Sequence, residues 1–214
     1  MSGHMKEFIT IKNNTQYEII EKKSRFIANV FYVENIKQVE ENLKNIKKEN
    51  FSARHNCFAY RILNDNQIIE KSSDDGEPSG TAGSPMLNIL KKNNLLNILV
   101  VVTRYFGGIL LGTGGLVRAY SESLQKAISS ANIVKKCIGD KLKVILNYSE
   151  FENFKYYCKK NDINIVKVEY LENIICNIEL EMQKTIKIFE DYKSKKIILE
   201  SIEHMCKKYI EKMQ

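Results

Sequence analysis

The sequence predicts an α+β protein of two domains, and three observations predict it. From Phe8 to Val134, strand-like and helix-like segments alternate, the pattern of a layered domain. From Leu142 to Ile202 the order is strand, helix, strand, strand, helix, strand, the ferredoxin-like arrangement of a small sheet with both helices on one face. Between them the composition shifts: beyond Ile133 there is no Pro, no Arg and a single Gly, Gly139. The expected domains are 5–134 and 140–208, with Lys135–Asp140 as linker. Met-Ser-Gly-His at Met1–His4 reads as an expression scar ahead of a start at Met5.

Each element follows from its local pattern. Phe8–Ile11 is apolar at alternate positions, and Tyr17–Ile20 and Arg25–Val33 are β-branched and aromatic strands joined by the short polar link Glu21-Lys22-Lys23-Ser24. Val33, Ile36, Val39, Leu43 and Ile46 recur at helical spacing, up to the charged Lys47–Asn50. His55–Leu63 alternates as a strand, with Cys57, Ala59 and Arg61 on one face and Phe58, Tyr60 and Ile62 on the other; Asn64-Asp65-Asn66 turns it into a strand at Gln67–Glu70. Ser84-Pro85 reads as a helix start, Ser as N-cap and Pro as first residue, with Asn93-Asn94 as the stop. Leu95–Thr103 has the apolar run of a strand buried on both faces, and Leu116, Val117, Tyr120, Leu124, Ala127, Ile128 and Ala131 stripe a helix over Gly114–Ala131. The second domain is expected as strand Leu142–Leu146, helix Glu150–Lys160, strands Asn164–Tyr170 and Asn173–Leu180, helix Gln183–Asp191 and strand Lys195–Ile202.

Composition narrows the function classes. Apolar residues make up 43% of the chain, enough for real cores. Apolar runs such as Ile98–Val102 fall well short of the roughly 20 residues that cross a bilayer, and no secretory apolar stretch follows Met5. The expected compartment is the cytosol, with no membrane partner. Cys57, Cys137, Cys158, Cys176 and Cys206 are scattered without a CxxC pair, which argues against a disulfide framework or a zinc site; they read as small buried apolar residues. The net charge of +7 invites an anionic partner. All five arginines precede Val134. Because guanidinium bonds phosphate in a bidentate fork, phosphate recognition is expected in the first domain.

Eight of the ten glycines and both prolines lie between Gly76 and Gly115, in two blocks. Such density suggests backbone that turns sharply or approaches a ligand. The second block, between a strand and a helix, directs free N–H groups at an anion. It matches neither a Walker loop nor a GxGxxG fingerprint. Anion contacts are expected from Arg104 and Arg118, from the backbone of Gly107, Gly108, Gly114 and Gly115, and from the hydroxyls of Ser79, Thr81 and Thr113. The first block clusters Asp74, Asp75 and Glu77, which could bind Mg2+ or carry hydrolytic chemistry, or could instead cap local N–H groups and pair with the arginines. His55 shares a strand face with Cys57 without a third orienting group, so a structural or substrate-orienting role is expected ahead of a catalytic one.

Ser73–Gly83 (Ser-Asp-Asp-Gly-Glu-Pro-Ser-Gly-Thr-Ala-Gly), Val101–Gly108 (Val-Val-Thr-Arg-Tyr-Phe-Gly-Gly) and Leu111–Tyr120 (Leu-Gly-Thr-Gly-Gly-Leu-Val-Arg-Ala-Tyr) together resemble the signature of the IMPACT family, in its bacterial YigZ-like branch. Arg25–Ala28 and His55-x-Cys57-x-Ala59 resemble it too; Ser84 stands where the family pattern has a basic residue. The resemblance implies an N-terminal domain like the second domain of ribosomal protein S5 and a C-terminal domain like the last domain of elongation factor G. For the bacterial branch it implies a cytosolic, RNA-binding or translation-linked protein; eukaryotic relatives of the first domain interfere with activation of an initiation-factor kinase, but they attach a different second domain, so that role does not carry over intact. The expected function is therefore non-enzymatic binding of RNA, the ribosome or a translation factor, without a cofactor. The alternative is a hydrolase or transferase for an anionic metabolite that uses Asp74, Asp75 and Glu77 with or without Mg2+. The sequence specifies no oligomeric state.

Overall fold

A computed structural model describes residue 5, residues 7–64 and residues 67–212. Residues 1–4, read above as an expression scar, and Asp65-Asn66, read above as part of a turn, lie outside the described residues. The chain divides into two compact units, residues 1–134 and 135–214.

In the first unit β1 (Glu7–Ile11) precedes an antiparallel sheet of β2 (Thr15–Glu21), β3 (Ser24–Tyr32), β4 (His55–Asn64), β5 (Gln67–Ser73) and β6 (Ile98–Tyr105), in the order β2-β3-β6-β4-β5. Lys22 and Lys23 both take positive φ, 44° and 65°, the backbone of a two-residue hairpin turn between β2 and β3. Three helices cover the sheet: α1 (Ile36–Glu49), α2 (Gly83–Lys92) and α3 (Gly112–Ser129). Strand alternation decides which face each residue serves. Phe26, Ala28, Cys57, Ala59, Val100 and Val102 pack with Met86 and Leu90 of α2 and with Leu116, Tyr120 and Leu124 of α3. Tyr60, Ile62, Leu99 and Val101 pack on the other face with Val39 and Ile46 of α1. The apolar run of β6 is thus buried on both faces, as its sequence predicts.

α2 begins at Gly83, one residue before the expected cap, and neither Ser84 nor its backbone N-cap Ala82 supplies a side-chain cap. The capping carboxylate comes instead from Asp74, in the loop before the helix, whose Oδ1 accepts from the N–H groups of Ala82 and Gly83 at 2.9 and 2.8 Å.

The second unit holds β7 (Ile133–Leu146), α4 (Phe151–Lys160), β8 (Asn164–Tyr170), β9 (Ile174–Glu181), α5 (Met182–Lys193) and β10 (Ser201–Glu211). β10, β7, β9 and β8 lie in that order, every pair antiparallel, which is the ferredoxin-like topology the sequence predicts. Leu142, Val144, Cys176 and Ile178 meet Phe154, Cys158 and Ile188 in its core. Two expectations are corrected. Lys135–Asp140 is not a linker: it is strand, and β10 pairs with it from Lys136 to Asp140. The last strand starts at Ser201, six residues later than expected, because the N–H groups of Lys196 and Ile197 are turned back onto the Asp191 carbonyl. All five cysteines are free; four are buried, while Cys206 on β10 is exposed. Among the described residues no helix is long and apolar enough to cross a membrane.

Candidate functional site

At one end of the first sheet, register brings Phe26 of β3, Arg104 of β6 and His55 of β4 side by side, with Arg104 opposite both neighbours. By alternation Arg104 continues the row of Val100 and Val102, so it enters the face covered by α2 and α3 and is only 5% exposed. Its guanidinium lies 5.3 Å from the Phe26 ring centre, and its Nη1 donates to Glu77 Oε1 at 2.6 Å. The same carboxylate oxygen accepts from the Tyr120 hydroxyl at 2.8 Å and lies 3.9 Å from His55 Nε2. Arg104 Nη2 reaches Ser24 Oγ at 3.5 Å, and its Nε has no hydrogen-bond partner among the described residues. Arg104 and Glu77 form a buried ion pair whose desolvation is offset by their mutual attraction and these added hydrogen bonds. The arginine expected to lead anion binding is thus spent largely on a carboxylate 27 residues earlier in the chain.

The three acidic side chains of the first block serve three different places. Asp74 also accepts from the Gly80 N–H at 2.9 Å. Burial alone would raise its carboxyl, but the amides of Gly80, Gly83 and Ala82 outweigh that and hold it below its ordinary value. Asp75 accepts from the Asn56 N–H at 2.7 Å and meets Lys47 at 3.3 Å. Glu77 faces Arg104. No shared carboxylate centre results, and among the described residues no group of three or more His, Cys, Asp and Glu side chains is placed to hold a metal ion.

His55 Nδ1 lies 2.8 Å from the Asp75 carbonyl, which can only accept, so that nitrogen carries the proton. Gly76, at φ +88°, lets the chain pass over this ring; a Cβ there would sit 3.4 Å from Nδ1 in a conformation that side chains rarely adopt. Cys57 donates to the Asp74 carbonyl at 2.9 Å. Burial above all pushes its thiol up to about 12, which keeps it from acting as a nucleophile near neutral pH. Burial also raises Tyr120, so its hydroxyl stays a donor.

The second block closes the opposite wall. Gly107 donates to Ser24 Oγ at 3.2 Å and runs so close to the β2–β3 turn that a Cβ would fall 2.0 Å from the Lys23 carbonyl carbon. Beyond it the chain turns into α3, whose N-cap Leu111 makes no side-chain cap, leaving the first N–H groups to solvent or a ligand. Between the two blocks lies a cleft of about 410 Å3. Gly76, Glu77 and Pro78 line it from the first block, Phe106, Gly112 and Thr113 from the second, and Arg54, His55 and Arg104 from the sheet end.

The structure therefore brings Arg104, Glu77, His55 and Thr113 of the expected residues to one cleft. Gly107 and Gly108 belong to the loop beside it, and Gly114, Gly115 and the exposed Arg118 lie farther along α3. Ser79 is exposed outside the lining, and the Thr81 hydroxyl is committed to the Pro78 carbonyl at 2.7 Å. Asp74 and Asp75 brace the loop from behind. Sequence reasoning missed Arg54: it is exposed, lines the cleft, and places its guanidinium 5.3 Å from the Phe106 ring centre. No local signal marks it: it stands one residue before β4 and meets the Arg104 strand end only through strand pairing, its N–H donating to the Arg104 carbonyl.

A family model described as the Impact N-terminal domain matches residues 22–128, the stretch that builds this cleft. The curated relatives include "IMPACT family member YvyE" of Bacillus subtilis, 36% identical over 83% of this chain and 82% of the relative. "IMPACT family member YigZ" of Escherichia coli is 33% identical over 76% of this chain and 80% of the relative. A solved structure described as that of a hypothetical protein is similar at 28% identity and a TM-score of 0.63, covering 93% of this chain and 98% of that one. On these matches, the chain belongs to the IMPACT family.

Proposed function

We propose that the protein is a non-enzymatic binder of phosphate-bearing macromolecules, RNA first among them, acting alongside translation, and that the cleft between the glycine blocks is its anion site. One observation carries this reading: the uncapped start of α3 opens into a cleft with Arg54 at its rim. A helix N-terminus presents about half a positive charge together with free N–H donors. Arg54 adds a full charge in the fork geometry suited to phosphate. Arg104 supports the floor through its pair with Glu77 and contributes little net charge of its own. The resemblance of the two motif blocks adds the link to translation.

Hydrolytic chemistry has less support. Asp74, Asp75 and Glu77 are each occupied by amide, lysine or arginine partners and do not converge.

Binding through this cleft is electrostatic, so affinity for a fluorescent single-stranded oligonucleotide is expected to fall with salt with a log–log slope of about −0.7 per phosphate neutralised. Arg54→Ala should make that slope shallower by about 0.7 and weaken binding at low salt. An affinity indifferent to salt, or an Arg54→Ala protein that titrates like the wild type, would contradict the reading.

A further inference from the structure

The helical side of the second unit carries a groove of different chemistry. The end of α4, α5 and the turn before β10 enclose a hollow of about 380 Å3, with Tyr156, Lys160, Lys187, Lys195, Lys196 and Ile198 in its walls. A second hollow shares Tyr157, Lys160, Asn161 and Lys187 with it and reaches on to Lys184. A third shares Lys195, Ile197 and Ile198 and extends to Lys193. Through these shared residues the three hollows adjoin one another.

The groove's charge is only partly cancelled. Lys184 pairs with Asp162 at 3.2 Å and Lys196 with Asp191 at 3.1 Å. Lys187 donates to the Asn161 side-chain oxygen at 2.7 Å and also acts electrostatically on Asp191. Lys160 and Lys195 have no carboxylate partner among the described residues. Glu150, the one carboxylate in the walls of the main hollow, accepts a bond from Asn153. The Lys195 backbone sits at φ +57°, in a turn pinned to Asp191 and Tyr192 by its own N–H groups, so the lysines of this turn project from ordered chain.

The two neighbouring tyrosines divide the labour. Tyr157 is a fixed wall: its hydroxyl donates to Asp191 at 2.7 Å and its ring lies nearly parallel to Phe154, 13° apart in plane. Tyr156 is 69% exposed, an aromatic face open to solvent and flanked by cations, with the exposed Ile198 in the same hollow. A sequence-tolerant single-strand site needs this pairing, because cations follow the phosphates while a ring stacks on a base. An acidic peptide would use the cations and leave the ring idle.

We infer that the α4–α5 groove is a track for single-stranded nucleic acid, with Lys160, Lys187 and Lys195 along the phosphates and Tyr156 stacked on a base. The site is independent of the first-unit cleft. Because its cations are all lysines, point charges without the guanidinium fork, it binds without reading sequence.

The test is fluorescence anisotropy of the full chain with a labelled oligouridine of about 12 nucleotides, within the span that one small domain covers. Four variants are compared with the wild type: Tyr156→Ala, Lys160→Ala with Lys195→Ala, Arg54→Ala, and Lys141→Ala with Lys143→Ala. The last pair alternates with the buried Leu142 and Val144 and so lies on the opposite face of the sheet. Tyr156→Ala should weaken binding about tenfold. The double groove variant should make the log–log salt slope shallower by about 1.4. The sheet-face variant should bind as the wild type does, and the groove losses should persist in the Arg54→Ala background. Wild-type affinity in both groove variants overturns the inference. So does an equal loss in the sheet-face variant, complete loss of binding with Arg54→Ala alone, or competition by polyglutamate that Tyr156→Ala leaves unchanged.

Discussion

Arg104→Ala is expected to destabilise the first unit by about 3–5 kcal/mol, the cost of removing one partner from a buried ion pair. The substitution leaves Glu77, itself 8% exposed, with a carboxylate held only by the Tyr120 hydroxyl and the more distant His55. It also removes the flat cation that covers Phe26. Replacing both partners with apolar residues of similar size, Arg104→Met with Glu77→Leu, should recover most of the loss, because no orphaned charge then remains. Hydrogen exchange read at the amides of β6 reports this unit by itself. If the single variant exchanges as slowly as the wild type, Arg104 is not the buried strut described here. A double variant as unstable as the single one would show that hydrogen bonding rather than unpaired charge sets the cost.

Asp74→Ala is the second large effect, about 2–3 kcal/mol, since one carboxylate caps α2 and three N–H donors lose their acceptor together. Asp74→Asn keeps the size but turns an amide donor toward one of those N–H groups, so it should retain only part of the cap. The pH dependence follows from the depressed carboxyl. A group with a lowered folded-state value stabilises fully above its unfolded value, about 3.9, and loses that contribution as pH falls through the lower folded value. The stability gap between wild type and Asp74→Asn should therefore be constant from about pH 5 to 7 and narrow below about pH 4. Urea titrations across that range measure it; a gap that widens in acid would show that the carboxylate is not what the three amides hold.

The parts legible in sequence were those written in local periodicity. Val100 and Val102 against Leu99 and Val101 show why the β6 run could be read as a two-faced strand. Cys57 and Ala59 against Tyr60 and Ile62 fix the faces of β4 in the same way. The glycine blocks announced a meeting of loops, and Gly76 and Gly112 do line one cleft. The sequence offered both roles for the first block's carboxylates, capping local N–H groups and pairing with the arginines, but not the assignment. Nothing in the spacing shows that β6 delivers Arg104 onto Glu77, or that Asp74, rather than Ser84, caps α2. Arg54 was overlooked because it sits in no glycine block and follows no periodicity. Lys135–Asp140 reads as linker because Lys135 and Lys136 mask an alternation that Cys137 and Gly139 carry only weakly. β10 gives a faint signal because it is largely exposed, with Ile210 its one buried residue.

The central claim is that the start of α3 and Arg54 form one pocket for phosphate groups. Its most direct measurement is a titration of the 15N-labelled full chain with a short single-stranded oligonucleotide, followed by the amide signals of Gly112, Thr113 and Gly114 and the Arg54 Nε–H signal. These four should move together, saturably, and return when salt is raised. Saturable binding that leaves all four in place would contradict the account.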